Sequence, residues 1–248
     1  MSNKKKKNSN YQTAKRASSA AAAKKKKKKL SKDAVIGIIC AVVVLVAVIL
    51  TVTFCSINKN KDTRYVKMTV EGHGDIILKL DAKTAPITVK NFMELVNDGF
   101  YDGLTFHRIL ENFMIQGGDP KGDGTGGNTD KNGKEINIKG EFSANGITNN
   151  ISHKRGVISM ARSGSQYNPS AYYNTASSQF FICNADSPHL DGQYAAFGHV
   201  IAGLDVVDSI TAEGVKHTSD GVINDKSKQP VITSIVEISK KEAMSYVK

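Results

Sequence analysis

FHRILENFMIQGGDP, residues 106–120, sets a single arginine, Arg108, among apolar and aromatic residues, with Gln116 and the Gly117-Gly118 pair close behind. Arginine is seldom buried without a partner, because an unpaired charge is costly in apolar surroundings. Two readings meet on it. In one, Arg108 lies on a strand and snorkels its head group into water. In the other, it belongs to a pocket that grips an apolar ligand and hydrogen-bonds one of its carbonyls.

The surroundings of this stretch predict a β-rich domain. Short apolar runs follow one another, split by Gly, Asn and Asp: LTFHRI, FMIQGG, GVISMA, SQFFICNA, YAAFGHVI and PVITSIVEI. Upstream, YVKMTVEGHGDIILKLD (65–81) alternates Val66, Met68 and Val70, then Ile76, Leu78 and Leu80, around a Gly-rich centre, the pattern of a β-hairpin. TAPITVKNFMELVNDG (84–99) reads as a helix. Pro86 suits its first turn, Val89, Phe92, Met93 and Val96 recur at helical spacing, and Gly99 is placed to end it. A second short helix is expected in AGLDVVDSITAEG (202–214). Many strands and two helices predict one barrel or sandwich over residues 64–240, with 57–63 as a linker and 241–248 as a C-terminal tail.

The formal charge of +11 belongs to a tail and not to this domain. Residues 1–33 hold 13 of the 34 basic residues and one of the 23 acids, leaving 21 basic against 22 acidic residues. The runs Lys4 to Lys7 and Lys24 to Lys29, around a Ser/Ala spacer, are too polar and repetitive to fold, so residues 1–33 are expected to be disordered. A near-neutral folded part argues against nucleic-acid binding.

VIGIICAVVVLVAVILTVTF, residues 35–54, carries no charge and has the length of one membrane span. Residues 34–56 are therefore expected to be a transmembrane signal anchor in contact with the lipid bilayer. The basic cluster precedes it, and Lys59, Lys61 and Arg64 mix with Asp62 after it, which predicts a cytoplasmic N-terminus and an extracytoplasmic domain at the cell membrane. The Lys-rich tail is also suited to anionic lipid. A long n-region without a small-x-small site speaks against cleavage, and bulky Phe54 before Cys55 against lipidation. Cys183 is the one cysteine of the folded part and reads as a core thiol.

The usual signs of covalent or metal chemistry are missing. No G-x-S-x-G elbow occurs, the six histidines form no ligand spacing, and Gly122 to Gly127 lacks the Lys-Ser/Thr of a phosphate loop and reads as a turn. Neither a cofactor nor a metal is expected. Chemistry that needs no nucleophile and no metal leaves a conformational isomerisation, or binding alone.

FHRILENFMIQGGD, GTGG, GVISMA, SSQFFICNAD and LDGQYAAFGHVIAGLDVVDSI, in this order, resemble the cyclophilin family of peptidyl-prolyl cis–trans isomerases over nearly all of residues 64–240. IKGEFSANG and SPHLDGQYAAFG resemble its bacterial members. The resemblance implies an eight-stranded antiparallel β-barrel capped by two helices, Pro86 to Asp98 and Leu204 to Thr211, after a single transmembrane helix. It implies Arg108 as the catalytic residue, with Phe113, Met114, Gln116, Ala161, Phe181, His189, Leu190 and Tyr194 binding the substrate.

The implied activity is isomerisation of Xaa-Pro bonds in extracytoplasmic proline-containing polypeptides, assisting their folding, by a monomer. The alternative is a weakly catalytic module that binds Pro-containing segments. Two wall residues depart from the commoner family pattern: His189 stands where many members carry Trp, and Tyr194 where many carry His. The stretch between Ala161 and Phe180 is several residues longer than the usual family loop, and it bears Tyr167, Tyr172 and Tyr173. His107, beside Arg108, reads as a packing residue, since the reaction needs no proton transfer.

Overall fold

The computed structural model describes residues 41–46, 62–164, 167–218 and 221–247. The basic tail at 1–33 lies outside the described residues. So do the linker up to 61 and most of the predicted span, of which residues 41–46 are described and helical. Among the described residues no helix is long and apolar enough to cross a membrane.

The hairpin predicted at 65–81 forms as β1 (Thr63–Val70) and β2 (Gly74–Asp81), antiparallel, with Val66 opposite Leu78 and Met68 opposite Ile76. These four side chains are fully buried, because period-2 alternation puts every second residue on the same face. α1 (Pro86–Asn97) follows, and Gly99 ends it at φ 66°. Its N-terminus has no cap from its own neighbours. The buried Glu141 carboxylate instead accepts from the Ile87 and Thr88 backbone N–H groups at 3.0 and 2.8 Å. A carboxylate suits that end of a helix, where free N–H groups and the helix dipole both favour negative charge.

The chain continues through β3 (Thr105–Leu110), β4 (Met114–Asp119), β5 (Val157–Met160), β6 (Phe180–Cys183), β7 (Ala196–Ala202), α2 (Leu204–Gly214), β8 (Ile232–Glu237) and α3 (Lys240–Ser245). The eight strands form one antiparallel sheet in the order β3-β4-β6-β5-β7-β2-β1-β8. It curls into a half-barrel whose two edges are bridged, not continuously paired. Thr105 of β3 bridges Val231, just before β8, and the Ile232 N–H donates to the Leu104 carbonyl at 2.7 Å.

Phe92 of α1 fills the hollow of this sheet, its ring 5.1 to 5.7 Å from those of Tyr101, Phe180 and Phe197. Such tilted and edge-on arrangements suit the aromatic quadrupole. The Gly117-Gly118 pair lets β4 run close to both of its neighbours. A Cβ on Gly117 would lie 2.8 Å from the Thr105 carbonyl oxygen, and one on Gly118, at φ 82°, 2.7 Å from that of Ser178.

Two boundaries move. α2 runs past Thr211 to Gly214, since Ala212 and Glu213 are good helix formers. Residues 241–248, set apart above as a tail, are in part an element of the domain. Ser239 caps α3 by accepting from the Glu242 N–H at 3.1 Å, and Ala243 is buried against Ile77 and Ile238. The Ser-x-x-Glu spacing that signals this start stands in the sequence.

Candidate active site

β3 and β4 set Arg108 directly opposite Gln116, and the Arg108 Nη1 donates to the Gln116 Oε1 at 3.1 Å. The amide is thereby oriented, and its Nε2 donates onward to the Gln179 Oε1 at 2.9 Å. Gln179, just before β6, spends its own Nε2 on the carbonyls of Gly124 and Gly126 at 3.1 and 2.7 Å. A relay of fixed amides thus runs from the glycine turn at 122–127 to the guanidinium. Arg108 is half-buried, its guanidinium carbon 6.0 Å from the centre of the Phe113 ring. Burial lowers its pKa from the usual value and the nearby Tyr194 phenol opposes this; a guanidinium keeps its charge throughout.

Beside this cation lies an apolar cluster, separate from the core around Phe92, of Met114, Phe181, Cys183 and Leu190, with Leu110, Phe113, Ala161 and Tyr194 packed on it. The cation and the cluster face a cavity of about 260 Å³. Arg108, Phe113, Met114, Gln116, Ala161, Phe181, Leu190 and Tyr194 line it. Eight of the nine residues expected from the sequence are thus brought together.

His189 is the exception. It is exposed and is not among the residues that line the cavity; its ring lies 5.3 Å from that of Phe113, tilted by 37°. It sits in the short turn Pro188–Leu190, which turns Leu190 inward and leaves His189 outside. Tyr194 meets Phe181 edge-on at 5.8 Å.

Several residues at this site escaped the sequence reading. Gln179, in SSQFF, resembles any polar residue at a strand start. Arg162, Asp123, Gly124 and Val222 also line the cavity. So does His107, which is buried as a packing residue would be, though neither ring nitrogen finds a partner among the described residues. Burial lowers its pKa, opposed by the nearby Asp119 and Asp123 carboxylates.

Behind Phe181, His153 stacks nearly parallel at 6.1 Å. Its Nδ1 lies 2.9 Å from the Asp191 Oδ1 and its Nε2 3.1 Å from the Ser159 Oγ. The three resemble a hydrolytic triad, yet Ser159 is fully buried and no substrate atom can reach it. The arrangement braces the Phe181 wall from behind.

The family description "Cyclophilin type peptidyl-prolyl cis-trans isomerase/CLD" matches residues 65–238. The chain belongs to this family. As a cyclophilin it is an isomerase, and its curled eight-stranded sheet is the family's fold. Among its relatives, a peptidyl-prolyl cis-trans isomerase of Helicobacter pylori is 43% identical over 139 residues, covering 55% of this chain and 74% of the relative. A peptidyl-prolyl cis-trans isomerase of Arabidopsis thaliana is 44% identical over 136 residues, covering 54% and 75%. One of these two relatives is bacterial and the other a plant protein, and their identities differ by one percentage point, so these matches do not single out bacterial members.

A crystal structure of a Cryptosporidium parvum cyclophilin type peptidyl-prolyl cis-trans isomerase, obtained in the presence of the dipeptide Ala-Pro, superposes with a TM-score of 0.58 at 29% identity. It covers 71% of this chain and 100% of that one.

Proposed function

We propose that this cyclophilin is a membrane-anchored isomerase that rotates Xaa-Pro bonds in extracytoplasmic client proteins and so assists their folding. The observation that carries the catalytic part is the Arg108–Gln116–Gln179 relay aimed along an apolar slot. An Xaa-Pro bond is held by amide resonance, with a barrier of roughly 18–20 kcal/mol. Phe113, Met114, Phe181 and Leu190 take the proline ring, and Arg108 donates to the proline carbonyl and lies near the imide nitrogen. As the bond twists, that nitrogen becomes pyramidal and gains a lone pair. A fixed guanidinium stabilises this form more than the planar ground state, which is selective binding of the transition state. Each tenfold gain in rate needs only about 1.4 kcal/mol.

In a peptide assay on an Ala-Pro substrate, the chain is expected to accelerate isomerisation, and Arg108→Ala to remove most of the acceleration. Equal rates for the two proteins would end this mechanism. Peptide binding without acceleration would favour the alternative, a module that binds Pro-containing segments.

The location rests on the uncharged stretch 35–54 and the basic run before it. Protease added to intact cells should remove a C-terminal tag and spare an N-terminal one; the reverse would overturn the orientation. The Lys-rich tail would then lie at the cytoplasmic face, against anionic lipid.

A further inference from the structure

Arg162 stands between two cavities. It lines the one that holds Arg108 and also a second, of about 180 Å³, bounded by Gln116, Thr125, Glu135, Thr175 and Gln179 among others. Its guanidinium is held in place. Nε donates to the Gln193 carbonyl at 3.1 Å and Nη1 to the Ser163 carbonyl at 3.0 Å. Its guanidinium carbon lies 4.6 Å from the ring centre of Tyr194, 5.3 Å from that of Tyr173 and 5.6 Å from that of Phe142. Three aromatic faces attract a cation without cancelling its charge.

None of the ion pairs among the described residues involves Arg162. A guanidinium has five N–H donors, so three have no partner among the described residues, on a side chain that lines both cavities. Other charges face these cavities. Glu135 lines only the second one, and Asp123, on the first, has its Oδ1 held by Thr125. Arg108 is engaged with Gln116.

We infer that Arg162 is a specificity-determining residue, selecting clients that carry an acidic side chain within two residues of the proline. The inference rests on the reading that the proline ring occupies the first cavity. A peptide so placed crosses Arg162 if it continues towards the second. The side chain is already ordered by its backbone bonds and rings, so little conformational freedom is lost when a carboxylate arrives. Its half-open setting limits the gain to that of a surface ion pair, about two- to fivefold in kcat/KM.

The test uses the full chain and Pro peptides bearing Glu, Ala or Lys at each of the two positions before the proline and each of the two after it. At one or more positions the Glu peptide should exceed the Lys peptide, R162E should invert that ratio, R162K should keep its direction, and added salt should shrink it. Because each protein is compared with itself, partial unfolding of a variant cancels. An unchanged Glu-to-Lys ratio in R162E at all four positions overturns the inference. If even the Ala peptide is not isomerised, it is the isomerase reading that fails. Dissociation constants of the same peptides then decide on Arg162 by the same ratios.

Discussion

Gln179 touches neither the apolar slot nor Arg108, yet it holds the amide that holds the guanidinium. Gln179→Ala leaves the Gln116 Nε2 without its acceptor and frees the turn at Gly124 and Gly126. Losing one such bond next to a charged group corresponds to about tenfold in kcat/KM. The thermal midpoint should fall modestly as well, since two of the three lost bonds are part-buried, and the peptide assay beside a melting curve checks both. Arg108 could be suspected from the sequence alone, because a lone cation in an apolar run demands an explanation. Gln179 could not, since its partners lie 63 and 53 to 55 residues away. His189 failed as a lining residue for a local reason: the turn at Pro188–Leu190 points neighbouring side chains in different directions.

α1 was legible through its apolar spacing, its Pro86 and its Gly99, but not through its cap. Glu141 reaches the first turn from 54 and 53 residues away, and no local pattern announces that. Glu141→Ala removes the acceptor of two backbone N–H groups at a buried helix end. We expect it to lower the unfolding free energy by about 1–3 kcal/mol, measured by denaturant titration; an unchanged midpoint would deny the cap its role. The half-barrel shows the same division. Alternation marks each strand, yet β4 lies beside β6 and β2 beside β7, and only long-range pairing decides those neighbours.

At the scale of the molecule, burial sets the response to acid. It lowers the pKa of His107, His153 and His199, with Asp191 opposing it at His153. The folded chain therefore binds fewer protons than the unfolded one below the ordinary histidine value of about 6.5. Stability should fall as the pH drops through that value and level off below the folded pKa values. A second loss follows at lower pH, where Glu213, held down to about 2 by Lys216 and His217, and Asp186, held down by the Arg155 backbone and Lys154, take up protons. Melting midpoints from pH 8 to about pH 2 check both steps; a midpoint that rises on acidification below pH 6.5 would contradict the first. The sequence by itself determined the β-rich class, the two main helices, the basic tail and the uncharged stretch at 35–54, because these follow from local period, composition and charge; it marked Arg108 as a residue to explain, and only the family resemblance implied its role. The tertiary structure alone decided that Gln179 steadies Arg108, that Arg162 stands between two cavities and that His189 lies outside. Each of these depends on which distant strands become neighbours, and that is settled by burying one shared core, not by any segment's own pattern.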